Sequence, residues 1–188
     1  MNLNQKKIII FKTDRVGDLI LFSPCLSILK KNIKDSHITL ICSEYNYKIA
    51  KNYNEIDKYI IMKKGYFFKT LINNFRILFL TNYNYLFQFD GKSSSYKLSF
   101  FIKSKLKATI CFVKNKSILG FNFKTSRPSK IILKFFFDNY VFRNENYKQE
   151  SKDISFKSYQ SLYFDLLSQL NLKITTMQNQ FTLDKKYL

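Results

Sequence analysis

The chain has no tryptophan, one histidine, two prolines, four glycines and three cysteines in 188 residues. His37, the single histidine, sits at the edge of an apolar stretch with no cluster of metal-ligating residues around it. That argues against a metal site or a histidine base. Cys25, Cys42 and Cys111 are far apart and form no C-x-x-C pair, the pattern of free buried thiols in a reducing cytoplasm. Apolar runs are short. The basic start MNLNQKK leads into a few apolar residues and then Lys12, which is no signal peptide. Nowhere is there the run of about 20 apolar residues that a membrane span needs. Acidic residues are also scarce: 13 Asp+Glu against 32 Lys+Arg leave a formal net charge of +19. No Walker loop and no G-x-G-x-x-G fingerprint is present, so nucleotide hydrolysis or nicotinamide binding has no support.

Hydrophobic residues make up 46% of the chain, enough for a core. The basic excess favours anionic partners such as nucleic acid, phosphorylated lipid or sugar phosphate. It also fits a solvated lysine face in a composition rich in Lys, Asn, Ile, Phe and Tyr, residues with AT-rich codons. No nucleic-acid-binding motif accompanies it.

Lys7–Phe11 (KIIIF), Ile38–Cys42, Lys58–Met62, Tyr85–Phe89 and Ala108–Val113 are short apolar runs of the kind that form strands buried on both faces. Between them lie helical patterns. Leu19, Phe22, Leu26, Leu29 and Ile33 recur at spacings of three and four, with Lys30, Lys31 and Lys34 near the end, where cations suit the helix dipole. Pro24 inside this pattern predicts a kink or restart. Tyr45–Lys51 reads as a short helix. Phe67–Leu80 reads as one helix with an apolar stripe from Phe68, Leu71, Ile72, Phe75, Leu78 and Phe79. Ser93–Leu106 reads as another, capped by Ser93-Ser94-Ser95. The alternation predicts an α/β fold, a Rossmann-like doubly wound parallel sheet. Beyond it, Lys114–Lys130 reads as a loop, Ile131–Phe142 as helix or strand, Asn144–Lys157 as polar connecting chain and Ser158–Leu172 as a helix.

Ligands of such sheets bind outside the carboxyl ends of the strands. Two polar turns fall there, Lys12–Asp18 and Asp90–Ser95, each ahead of a helix amino end that favours anions. Gly17 either admits a close ligand or takes a positive φ. Lys12 and Arg15 could hold phosphate or carboxylate. Asp18 is either a first-turn helix acid or a base that accepts a proton from a hydroxyl. Asp14-Arg15 could equally be a solvent ion pair, and Asp90-Gly91 a plain turn.

The run KIIIFKTDRVGDLILFSPCLSILKK, followed by ITLICSEYNYKIAKNYNEIDKYIIM, resembles the amino-terminal half of glycosyltransferase family 9, the ADP-heptose:lipopolysaccharide heptosyltransferases and their relatives. The shared parts are the strand Ile8–Phe11, the turn Lys12–Asp18 and the Ser23-Pro24 step. Phe87–Ser93 (FQFDGKS) is similar to a later strand ending, and Tyr159–Leu172 to the helix near the end of the first domain. Where the family often has a histidine at the start of that helix, this chain has Ser158-Tyr159-Gln160.

The resemblance implies one half of a two-domain (B-type) glycosyltransferase. Residues 1–172 would be the acceptor-side domain and 173–188 the start of an interdomain linker, with the donor domain absent. The fragment would be truncated and inactive alone. Asp18 would be the general base of an inverting transfer in lipopolysaccharide core or surface-glycan assembly. Lys12, Thr13, Arg15, Gly17, Asp90, Gly91, Lys92 and Ser93 would bind the acceptor, and no metal is implied. No cofactor is expected on this domain. A nucleotide-sugar donor of the ADP-heptose type belongs to the other. The implied partner is an anionic glycolipid, with peripheral contact at the inner membrane surface, a cytoplasmic location and no nucleic acid. The alternative is a non-enzymatic basic α/β module that binds nucleic acid or anionic membrane.

Overall fold

The computed structural model of the chain describes residues 5–63, 65–118, 121–144 and 159–172. The segments 145–157 and 173–188, read above as connecting chain and linker, lie outside the described residues. The isoleucine-rich run extends to β1 (Lys6–Lys12), which leads into α1 (Val16–Asn32). Then follow β2 (Ser36–Ser43), α2 (Glu44–Ala50), β3 (Lys58–Met62), α3 (Phe67–Asn73), α4 (Phe75–Phe79) and β4 (Tyr83–Gln88). The chain continues through α5 (Ser93–Phe101), β5 (Ser104–Ile118), β6 (Phe121–Arg127), α6 (Lys130–Phe136), β7 (Asn139–Asn144) and α7 (Tyr159–Ser168).

The strands form one sheet in the order β3-β2-β1-β4-β5-β6, with β7 also paired to β5. All neighbours are parallel except β5 and β6. The order 3-2-1-4-5 followed by a sixth parallel strand is that of a Rossmann-type sheet, and here β7 fills the sixth place. Ala108 and Thr109 of β5 pair with both β4 and β7, and Phe112 and Val113 pair with both β6 and β7. Hence β4 and β6 share one edge of β5. The long β5 runs on past the carboxyl end of β4, and there it takes up β6.

Side chains alternate along each strand between two cores. Ile8, Ile10, Ile38, Leu40, Phe87 and Ala108 pack under α1, α2 and α7, together with Leu19, Phe22, Leu26, Leu29, Leu162, Tyr163 and Leu166. Ile9, Phe11, Ile41, Leu86 and Cys111 pack under α3 to α6, together with Leu78, Tyr96, Leu98 and Leu133. The three cysteines are buried and free.

Several sequence expectations change. Pro24 lies inside a helix that continues to Asn32, so the helix does not restart there. Its missing N–H comes at the ninth residue of a helix whose apolar face is fully buried, and that packing holds the helix together. The single helix over Phe67–Leu80 is two, α3 and α4, divided at Asn74. Asn74 donates to Thr70 O twice, from its backbone N–H at 3.1 Å and from its side-chain Nδ2 at 2.9 Å, the local side-chain bonding that makes asparagine a poor helix-interior residue. The helix from Ser93 ends at Phe101, and Ser104–Leu106 already belongs to β5. Lys114–Lys130 is no loop but the β5–β6 hairpin, whose lysine-rich strands pair from Phe112↔Arg127 to Ile118↔Phe121. Polar composition hid it because β-pairing satisfies the backbone whatever the side chains are.

Candidate active site at the carboxyl edge of the sheet

β1 and β4 lie side by side in the middle of the sheet, so their two following turns meet. Asp90 ties them together. Its Oδ2 accepts from Thr13 Oγ1 at 2.5 Å, from Thr13 N at 3.3 Å and from Ser95 Oγ at 2.6 Å. Its Oδ1 accepts from Gln88 Nε2 at 2.7 Å and Lys92 N at 3.2 Å. Lys92 Nζ donates back to Thr13 O, and Thr109 Oγ1 donates to Gln88 Oε1. Thr13, Gln88, Asp90, Ser95 and Thr109 are buried, which strengthens the bonds among them, and Lys92 closes the network from the exposed side. Ser95, read as a possible cap, therefore serves Asp90; the residue preceding α5 is Lys92, with no side-chain cap. Gly91 takes φ +62°, and a Cβ on it would come within 2.2 Å of the Phe112 ring. The hairpin strand β5 thus presses on the second turn, and only glycine fits there.

Lys12 turns inward. Its ammonium is fully buried and donates to Asp14 Oδ2 and to Tyr163 OH, each at 2.7 Å, and to Phe89 O at 3.4 Å. It also lies 4.7 Å from the centre of the Tyr163 ring. Tyr163 comes from α7, 151 residues away, and no local pattern pairs the two. Asp14 Oδ1 is buried and accepts no hydrogen bond. Burial raises the Asp14 pKa to about 6, against the pull of Lys12 and with a smaller push from Asp90 and Asp18.

Arg15 precedes α1 without a side-chain cap, so the first N–H groups of that helix stay open. Gly17 is in the first helical turn with no positive φ, and a Cβ on it would meet nothing within 4 Å. The left-handed role considered for it is not used; open space remains. Asp18 follows, partly exposed, in the first turn of a 17-residue helix. Thr13, Lys92, Ser94 and Ser95 line a cavity of about 480 Å³ with Glu44, Tyr45 and Lys63. Ser93 lies on the next groove, beside Phe67 and Lys97. Arg15, Gly17 and Asp18 stand outside that lining, at the α1 end of the same edge. Asp14 pairs with Lys12 and not with Arg15, the ion pair considered from the sequence; sequence reasoning had no role for Tyr163 or Lys63.

The fold recurs in solved structures. A glycosyl transferase family 9 protein from Veillonella parvula DSM 2008 superposes with a TM-score of 0.64 at 20% identity. The match covers 92% of this chain and 44% of that one. The chain has the family 9 glycosyltransferase fold. E. coli heptosyltransferase WaaC with ADP matches with a TM-score of 0.60 at 13% identity, over 92% of this chain and 49% of that one. The same enzyme with ADP-2-deoxy-2-fluoro heptose gives 0.59 at 12% identity. The chain therefore spans about half the length of these family 9 structures. No protein-family model and no curated protein matches it in sequence. Among the described residues, no helix is long and apolar enough to cross a membrane.

Proposed function

We propose that this chain supplies the acceptor side of a heptosyltransferase-like glycosyl transfer in lipopolysaccharide core or surface-glycan assembly. Asp18 is the general base. It takes the proton of an acceptor hydroxyl as that oxygen bonds to the anomeric carbon of a nucleotide sugar of the ADP-heptose type. The bond from that carbon to the diphosphate breaks with inversion, and the nucleoside diphosphate leaves with the electron pair. A separate domain holds the donor, so this domain alone gives no turnover. Arg15, Lys92, Thr13 and Ser93 face the anionic acceptor, and Gly17 keeps the approach to the α1 amino end clear. Lys12, Asp90 and Gly91 hold the frame.

The observation that carries the reading is the Asp90 network. It fixes the β1 and β4 turns against each other at the carboxyl edge of the sheet, the edge at which α1 begins with Asp18 in its first turn, on a family 9 fold. The test joins this chain to the donor half of a family 9 transferase. Asp18→Asn should lower kcat by about 100-fold or more with KM for the acceptor nearly unchanged. Normal kcat in that variant would remove Asp18 from the role of base.

A further inference from the structure

The helices over one face of the sheet do not finish their own core. Phe68, Ile72, Leu80 and Phe101 are each more than 60% exposed, and Phe75 is half exposed. Phe75 and Phe101 border a groove of about 760 Å³ between α3, α4 and α5 whose lining includes Leu71 and Phe79, and Phe68 and Ile72 stand exposed on the neighbouring ridge of α3. Large apolar side chains left out in such a group mark an interaction surface rather than ordinary surface scatter.

The charge around this groove selects the partner. From Lys63 to Lys107 the sequence has nine Lys and Arg and one acid, Asp90, which is buried in the turn network. Lys69, Arg76, Lys97 and Lys103 are exposed around the apolar side chains. Protein interfaces are depleted of lysine. Aromatic and aliphatic side chains ringed by lysines are what binds at the boundary between anionic headgroups and acyl chains. The groove also runs into the site cavity, because Phe67, Ser94 and Leu98 line both.

We propose that the α3–α4–α5 face docks on an anionic phospholipid bilayer, with Phe68, Ile72 and Phe101 at the acyl boundary and Lys69, Arg76, Lys97 and Lys103 among the headgroups. The site cavity then opens at the headgroup plane. Docking follows from the chemistry of the groove itself; only the use of that opening by a lipid-linked acceptor rests on the glycosyltransferase reading.

The absence of tryptophan makes a direct test possible. Phe68→Trp and Phe101→Trp each place one fluorophore on the face, and Leu21→Trp places one on an exposed position of α1 over the opposite side. With phosphatidylglycerol-rich vesicles and the whole 188-residue chain, the first two should shift to the blue and the third should not. Vesicles of phosphatidylcholine alone should bind at least about 10-fold more weakly. The triple variant Phe68→Ser, Ile72→Ser, Phe101→Ser should keep its circular dichroism and lose about 10-fold or more in vesicle affinity. Equal binding by the triple variant, a blue shift at Leu21→Trp, or a dimer that the triple variant dissolves would each overturn the proposal, the last in favour of a second copy of the chain. Failure of Asp18→Asn to lower transfer would leave vesicle binding untouched, so the two readings fail separately.

Discussion

The two sides of the sheet share the same strands and treat their helices in opposite ways. Under α1 and α7 the strand residues Ile8, Ile10 and Phe87 meet Phe22, Leu26, Tyr163 and Leu166, all buried. Under α3 to α6 the strand residues Ile9, Phe11 and Leu86 are equally buried, yet the covering helices hold Phe68, Ile72 and Phe101 outward. One layer is shaped by folding alone. The other satisfies folding with Leu78, Tyr96 and Leu98 and keeps a second apolar surface that folding does not use.

The largest expected effects lie on the closed side. Phe22→Ala should cost about 3–5 kcal/mol by urea unfolding, because its ring packs at 4.7 Å from Phe89 and 5.6 Å from Tyr163. Lys12→Met should cost a similar amount, about 3–5 kcal/mol, since it leaves the Asp14 carboxylate buried and unpaired. Gly91→Ala, at the hairpin contact between the two turns, should cost about 1–3 kcal/mol from backbone strain, with more if the Phe112 ring cannot move. Phe68→Ser, on the open side, should change stability by no more than about 0.5 kcal/mol. A destabilisation there comparable to Phe22→Ala would erase the contrast between the faces.

The Asp14 carboxyl sharpens the comparison through pH. Its pKa rises from 3.8 to about 6 on folding, so the folded protein holds this proton more tightly than the unfolded chain. The resulting stabilisation is complete below pH 3.8 and is lost as pH rises through about 6. Unfolding free energy measured across that window should have a downward component with rising pH that Asp14→Asn removes. An identical slope in both proteins would show that Asp14 titrates as in water.

The parts legible in the sequence are those with local causes. The runs KIIIF, ITLIC and KYIIM read as strands because burial on both faces needs continuous apolar residues, and the spacing of Leu19, Phe22, Leu26 and Leu29 gave the buried face of α1. That both polar turns lie at the carboxyl edge followed from the alternation of strands and helices; that they meet came only with the pairing of β1 and β4. What stayed hidden depended on distant partners. Lys12 read as a ligand for anions because nothing near it announces Tyr163. The stripe that includes Phe68, Ile72 and Phe75 read only as the apolar face of one helix, because periodicity marks such a face without saying what covers it. The β5–β6 hairpin read as a loop because its lysines and asparagines lack an alternating apolar pattern.

The central claim is that the paired turns bind an acceptor, and backbone amide NMR of the 188-residue chain addresses it directly. Titration with a soluble anionic inner-core oligosaccharide should move the amides of Thr13, Gly17, Asp18 and Lys92, while ADP-heptose leaves them in place. Shifts of those amides with ADP-heptose and none with the oligosaccharide would contradict the account.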